Sequence, residues 1–193
     1  MLRERVSEDI YVFTSEVYAQ VTAGVVVYPD GAVLIDTLPF PFETAEIKEF
    51  VEKRLNTKVQ YVILTHYHSD HTNGAYLFPE AHVIGHHLCR AKLDTVGRQA
   101  MAKAKEQSPD LAEAEVVLPT LLMDEGRLLL HLAKKTLELI ATPGNSPDAL
   151  SVLLREDRIL FAGDMMMPLP FFVDGDAEVL ARSMQLIPSL GLE

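Results

Sequence analysis

Thr65, His66, Tyr67, His68, Ser69, Asp70 and His71 constrain this chain more than any other stretch. They follow residues 59–64, an apolar run with β-branched and aromatic side chains that reads as a buried strand, and they run into the turn signal Thr72, Asn73, Gly74. Imidazole and carboxylate are the natural ligands of zinc sites that stay open for chemistry. Side chains alternate along extended backbone, so His66 and His68 are expected to face the same way and to grip one ion. Asp70 and His71 lie past the bend and are expected to grip a second. A solvated turn has no need of so many ligands at one strand end.

The rest of the chain is read against that stretch. Its 193 residues suit one domain, residues 1–193, and 48% hydrophobic with 23% charged residues is ordinary for a soluble fold. The net charge of −11 argues against a nucleic-acid partner, because phosphate backbones are held by basic patches. Cys89 is the single cysteine, which rules out an internal disulfide and fits the reducing cytoplasm. The charged start at Arg3, Glu4 and Arg5 precedes no apolar leader, and no run reaches the ~18 apolar residues a membrane span needs. A cytoplasmic domain acting on a small molecule is expected, with the oligomeric state left open.

In chain order, residues 10–13, 21–28 and 32–36 read as strands, the last two joined by the turn at Pro29, Asp30 and Gly31. Residues 43–55 carry Ile47, Phe50, Val51 and Leu55 at helical spacing, with acidic residues early and basic residues late. A short strand at 81–85 precedes a helix from His86 to about Lys105 that Gly97 is expected to interrupt. Residues 118–140 read as strands broken by turns, 150–154 and 158–161 as a second hairpin, and 176–187 as a last helix. Hairpins mixed with helices favour an α/β (α+β) fold with antiparallel content over a doubly wound sheet.

Two later stretches can complete a metal site. One is the loop Thr142, Pro143, Gly144, Asn145, Ser146, Pro147, Asp148; the other is Gly163-Asp164 at the end of a strand, where a glycine lets backbone come close. With these in place, the sequence resembles the metallo-β-lactamase-fold superfamily, a group of mostly zinc-dependent hydrolases. The resemblance rests on His66-x-His68-x-Asp70-His71, on Asp36 at the end of the early hairpin, on the 142–148 loop and on Gly163-Asp164, in matching order. It implies a four-layered αββα sandwich with the site at one edge, between two sheets. It also implies that His66 and His68 hold a first metal, that Asp70 and His71 hold a second, and that Asp164 bridges them. One or two zinc ions are the implied cofactor, with manganese or iron as alternatives.

Two departures weaken that ligand set. Asn145 stands where the family carries a histidine, and a neutral amide oxygen is a poor zinc ligand. The chain is also expected to stop short of the family's last segment, which supplies one more histidine. The leading expectation is a hydrolase that turns a metal-activated water on a small ester, thioester, lactone or related bond, with Asp70 orienting that water or carrying its proton. The rival is a metal-poor member of the fold that serves as a binding or scaffold protein. A nuclease fits the charge badly, and a di-iron oxygen-reducing relative resembles HxExDH, whereas residue 68 is histidine. Ser69, Ser146 and Cys89 stand beside no base motif and read as structural, as do His82 and His131. His86 and His87, as neighbours on a helix, are expected to diverge by ~100°, so at most one could reach the site. Met165, Met166 and Met167, with residues 168–172, read as packing or as the wall of an apolar substrate pocket.

Overall fold

The structure is a computed structural model that describes residues 1–167 and 172–192. Seven strands form the first sheet in chain order: β1 Leu2–Ser7, β2 Ile10–Thr14, β3 Thr22–Tyr28, β4 Gly31–Ile35, β5 Val59–Ile63, β6 His82–His86 and β7 Leu121–Met123. The first four are antiparallel neighbours, and β4 through β7 pair in parallel. The second sheet is an antiparallel meander of β8 Arg127–Leu132, β9 Lys135–Ala141, β10 Leu150–Leu154 and β11 Ile159–Phe161.

The alternation of side chains explains why the sheets stack. Parallel strands are covered on both faces and so read as unbroken apolar runs. In β4 and β5, Val33, Ile35 and Ile63 face the second sheet and meet Leu137, Leu139, Leu150 and Val152 there. Leu34 and Val62 face the other way, under Ile47 of α1 (Pro41–Glu49) and Val51 just beyond it. At Gly24 of β3 a Cβ would run into the Phe161 ring of β11, so the position admits no side chain.

The helix expected over residues 43–55 runs as α1 followed by a wider turn at Phe50–Arg54, in which Leu55 N–H bonds the Phe50 carbonyl. After a short helix α2 (Ser69–Thr72), α3 (His87–Lys92) and α4 (Arg98–Gln107) are joined through a second wide stretch at Leu93–Gly97. Gly97 therefore does not break the run; the helix widens there instead. The last helix, α5 (Ala177–Met184), is capped by Asp176, whose side chain accepts from the Glu178 and Val179 N–H groups. It packs on the loop after β9, where Leu180 leaves no room for a Cβ on Gly144 and Ser183 Oγ donates to the Pro143 carbonyl. Strand β1 was absent from the sequence reading. Its Arg3, Glu4 and Arg5 are exposed and give no apolar alternation, and the strand forms because β2 offers an edge to pair with. Among the described residues, no helix is long and apolar enough to cross a membrane.

This topology brings five chain segments to one rim. Asp36 follows β4 and residues 64–71 follow β5, at the carboxyl ends of adjacent parallel strands, where antiparallel pairing gives way to parallel. The loops after β9 and β11 and the residues before α5 arrive from the second sheet. The Leu150 N–H donates to the Thr65 carbonyl at 2.9 Å, which ties the two sheets together at this rim.

Two outcomes follow for stability. Leu139 is fully buried between the sheets, and Leu139→Ala should cost about 2–5 kcal/mol in urea unfolding, mostly from the cavity it leaves. On the opposite face of β9, buried Glu138 accepts from Arg155 Nε at 2.6 Å and Arg127 Nη1 at 2.7 Å. The Arg155 bond, aided by Arg127, outweighs burial and holds the Glu138 carboxyl below its usual 4.5. A carboxyl lowered on folding stabilises above its unfolded value and loses that contribution as pH falls through the folded one. Glu138→Gln should therefore cost about 1–2 kcal/mol at neutral pH, since both arginines are half in water, and the gap to the parent chain should close below pH 4.5.

Candidate functional site

The site is built outward from Asp36. This residue is buried at the end of β4 with φ of 57°, a left-handed conformation that aspartate tolerates better than most side chains. Its Oδ1 accepts the Thr65 N–H at 2.8 Å, and its Oδ2 accepts the Thr65 hydroxyl at 2.7 Å and lies 2.8 Å from His71 Nδ1. One carboxylate thus sets two imidazoles. His71 must carry its proton on Nδ1 to satisfy Asp36, which leaves Nε2 with a lone pair. The Thr65 hydroxyl has spent its proton on Asp36, so toward His66 Nδ1, 3.0 Å away, it accepts, and His66 Nε2 is left bare as well.

The local sequence explains how these groups converge. Residues 65–67 bend at the end of β5: Leu64 and Tyr67 pack into the core, while the His66 and His68 rings meet at the rim with centroids 4.5 Å apart. His68 caps α2, and the His71 N–H bonds back to the His68 carbonyl, which lifts His71 beside His66 with ring centroids 4.3 Å apart. The His71 carbonyl accepts from the Thr37 N–H and hydroxyl, so α2 is pinned to the chain leaving β4. From the second sheet, Gly163 has φ of 53°, and a Cβ on it would stand 3.0 Å from Thr65 Oγ1. Only glycine lets Asp164 approach so closely.

The distances are short. Asp164 lies 3.5 Å from His66 Nε2 and 3.1 Å from His71 Nε2, and His66 Nε2 lies 3.0 Å from His68 Nδ1. His66, His68 and Asp164 each offer a ligand atom within 4.8 Å of the others, a group that can hold a metal ion. Burial disfavours the Asp164 carboxylate, but hydrogen bonds and charge from His66 and His71 outweigh it and hold the carboxyl well below the usual range. Burial likewise opposes the charged form of His71, and Asp36 and Asp164 together raise it well above its ordinary value. Burial and the neighbouring His66 lower His68. Asp70 stands one step off, 3.9 Å from His71 Nε2, on the wall of the adjoining cavity. Asn145 is buried in the loop after β9, next to Gly144, whose carbonyl accepts the Asp176 N–H.

A fit to a cation is visible in the nitrogens themselves. His71 Nε2, 3.1 Å from Asp164, and His68 Nε2, 3.5 Å from Asp174, are buried and lack a well-aligned hydrogen bond among the described residues. Buried polar atoms of that kind are rare unless something else engages them. The donor set, imidazole with carboxylate, suits zinc and also iron or manganese.

Several participants gave little sign in the sequence. Asp174 lies 3.5 Å from His68 Nε2 and accepts from Lys92, whose ammonium also sits 4.8 Å from the Tyr67 ring centroid. Burial and the Asp174 charge push the Tyr67 hydroxyl up to about 12. Asp174 follows a stretch with no strand or helix pattern, so nothing in its spacing marked it. His86 and His87 stand apart from this site, in a group with Asp124. They do not diverge as helical neighbours: His86 ends β6 and caps α3, accepting from the Leu88 N–H, and the rings meet at 4.6 Å. Cys89 is buried, and burial with the Asp148 charge pushes its thiol well up, as suits an inert side chain. Of the three methionines, Met165 is buried, Met166 exposed, and Met167 lines the cavity. The wall expected at residues 168–172 lies outside the described residues except for Phe172.

Comparison with known proteins agrees with this geometry. The chain is 29% identical over 134 residues to an "Atrochrysone carboxyl ACP thioesterase" of Aspergillus fumigatus, covering 69% of this chain and 36% of that protein. It is 27% identical over 168 residues to a "Beta-lactamase-like protein 2 homolog" of Caenorhabditis elegans, covering 82% of this chain and 48% of that one. The chain thus spans less than half the length of these curated relatives. Its fold superposes on a metallo-beta-lactamase from Pontibacter korlensis with a TM-score of 0.76 at 19% identity, covering 97% of this chain and 85% of that structure. The profile described as "Metallo-beta-lactamase superfamily" matches residues 18–185, and the chain belongs to that superfamily.

Proposed function

We propose that the chain is a metal-dependent hydrolase acting on an ester, thioester or lactone carbonyl. The observation that carries this reading is the convergence of the His66, His68 and His71 imidazoles on the Asp164 carboxylate at one buried rim. His66, His68 and Asp164 would hold a first ion, with Asn145 a weak fourth donor, and Asp70, His71 and Asp164 would hold any second. A bound ion supplies an activated water and polarises the substrate carbonyl. The name of the fungal thioesterase, a protein of which this chain spans only part, supports a thioester among the candidate bonds.

The chain's own residues do the rest. Asp36 orients His71 directly and His66 through the Thr65 hydroxyl, so that Nε2 of both rings faces Asp164. Asp174 and Lys92 steady His68 from behind. Asp70, on the cavity wall, would orient the water and take its proton. In the reaction, water adds OH to the acyl carbon, the bond from that carbon to oxygen or sulfur breaks, and the leaving alcohol or thiol receives the remaining proton.

A metal-poor binding protein is the competing reading, and Asn145 favours it. Protein purified without chelator should carry zinc, iron or manganese, and chelation should abolish hydrolysis across an ester, thioester and lactone panel. Near-zero metal with no hydrolysis would overturn the enzyme reading. Asn145→His should tighten zinc in a competition titration; unchanged affinity would mean that residue 145 does not face the ion. Asp36→Asn turns an acceptor into a donor against Thr65 and His71, and it should weaken metal affinity by about 10–100-fold while the far-ultraviolet dichroism stays that of the parent.

A further inference from the structure

A cavity of about 610 Å³ opens directly off the metal-ligand cluster, within the range of small-molecule sites. Its two ends differ in chemistry. His68, Asp70 and Asp164 stand at one end. Away from them, Leu93, Val96, Gly97, Ala100, Met101 and Ala104 form one stripe of the α3–α4 run, spaced by three or four residues, and Leu111 and Val116 face it. The eleven steps from Leu93 to Ala104 make a wall about 16 Å long at ~1.5 Å per residue. Gly97, Ala100 and Ala104 are small and line the cavity.

Two features identify what fits there. First, no lysine or arginine lines the cavity among the described residues, so along the apolar stripe nothing would pair a carboxylate or phosphate. Second, the cavity also includes large apolar side chains left in water: Tyr18 at 48%, Val96 at 50% and Val173 at 62% exposure. Apolar surface left open beside a reaction centre marks a ligand groove.

Resting on the hydrolase reading above, we infer that this cavity takes the long, uncharged apolar acyl group of a thioester or ester, with its carbonyl at the His68–Asp164 end. Ala100 and Ala104 set how far the chain reaches. Each methylene buried along the stripe favours the transition state as well as the complex, so kcat/KM rises with acyl length until the cavity is full.

The test uses acetyl, butanoyl and octanoyl thioesters of N-acetylcysteamine with the metal-loaded protein, and binding of the neutral dye Nile red by metal-free protein. Ala100→Phe and Ala104→Phe place a ring in the cavity, and Gln99→Phe places the same ring on the exposed face of α4 as a control. From butanoyl to octanoyl, kcat/KM should rise on the order of tenfold or more. Both cavity variants should flatten that rise and weaken dye binding, and the control should alter neither. Dye binding lost in the cavity variants with no thioester cleaved would sustain the apolar site and overturn the hydrolase reading. Hydrolysis indifferent to chain length, with dye binding untouched by the cavity variants, would overturn the acyl cavity and leave the hydrolase standing. Absence of both hydrolysis and binding would overturn the two together.

Discussion

The buried carboxylate of Asp36 is the contact on which the site depends. It joins three pieces of chain that otherwise share little: the end of β4, the backbone and hydroxyl of Thr65 beyond β5, and the imidazole of His71 in α2. A buried charge without partners is expensive, so the folded state must satisfy it, and satisfying it fixes the register of all three. The site is therefore assembled as a by-product of pairing one anion. Its strained left-handed backbone belongs to the same arrangement, because that conformation turns the carboxylate from the sheet toward Thr65.

The two sheets divide the labour. The first holds His66, His68, Asp70 and His71 on a rigid parallel core, covered on both sides. The second delivers Asp164, through a glycine that only an unencumbered backbone could place against Thr65. Neither half alone presents a full ligand group. The Thr65–Leu150 backbone bond and the shared apolar interior keep the halves in register, so packing of Leu137, Leu139 and Val152 acts on the site through distance rather than contact.

Much of this was legible in the sequence where signals were local. The strand before His66 is apolar and β-branched, whereas His66 and His68 come together through bends at residues 65–67 and not through the extended alternation expected of them. The hairpin turns at residues 29–31 and 155–158 carried their own turn residues. What stayed hidden was set by neighbours rather than by period. Strand β1 buries no apolar face, its Leu2 and Val6 being exposed, and it forms by pairing along β2. The wide helical stretch across Gly97 keeps the helix going where propensity predicts a break, because Leu93 remains anchored in the core. Asp174 reaches His68 from far along the chain, and no spacing rule links them. His86 and His87 were read as helical neighbours, but one residue of strand end changes their relative direction.

One border of the larger sheet is β1, with the exposed Arg3, Glu4 and Arg5 along it, Arg3 lying over the Phe50 ring and Arg5 donating to the Glu8 carbonyl. An extended segment from another molecule that tried to lengthen the sheet there would have to accommodate alternating charge along its whole approach. The opposite border, β7, offers only three residues. A sheet of seven strands is thereby kept from acting as a template for open-ended growth, and its border is guarded by the very residues that look least like a strand.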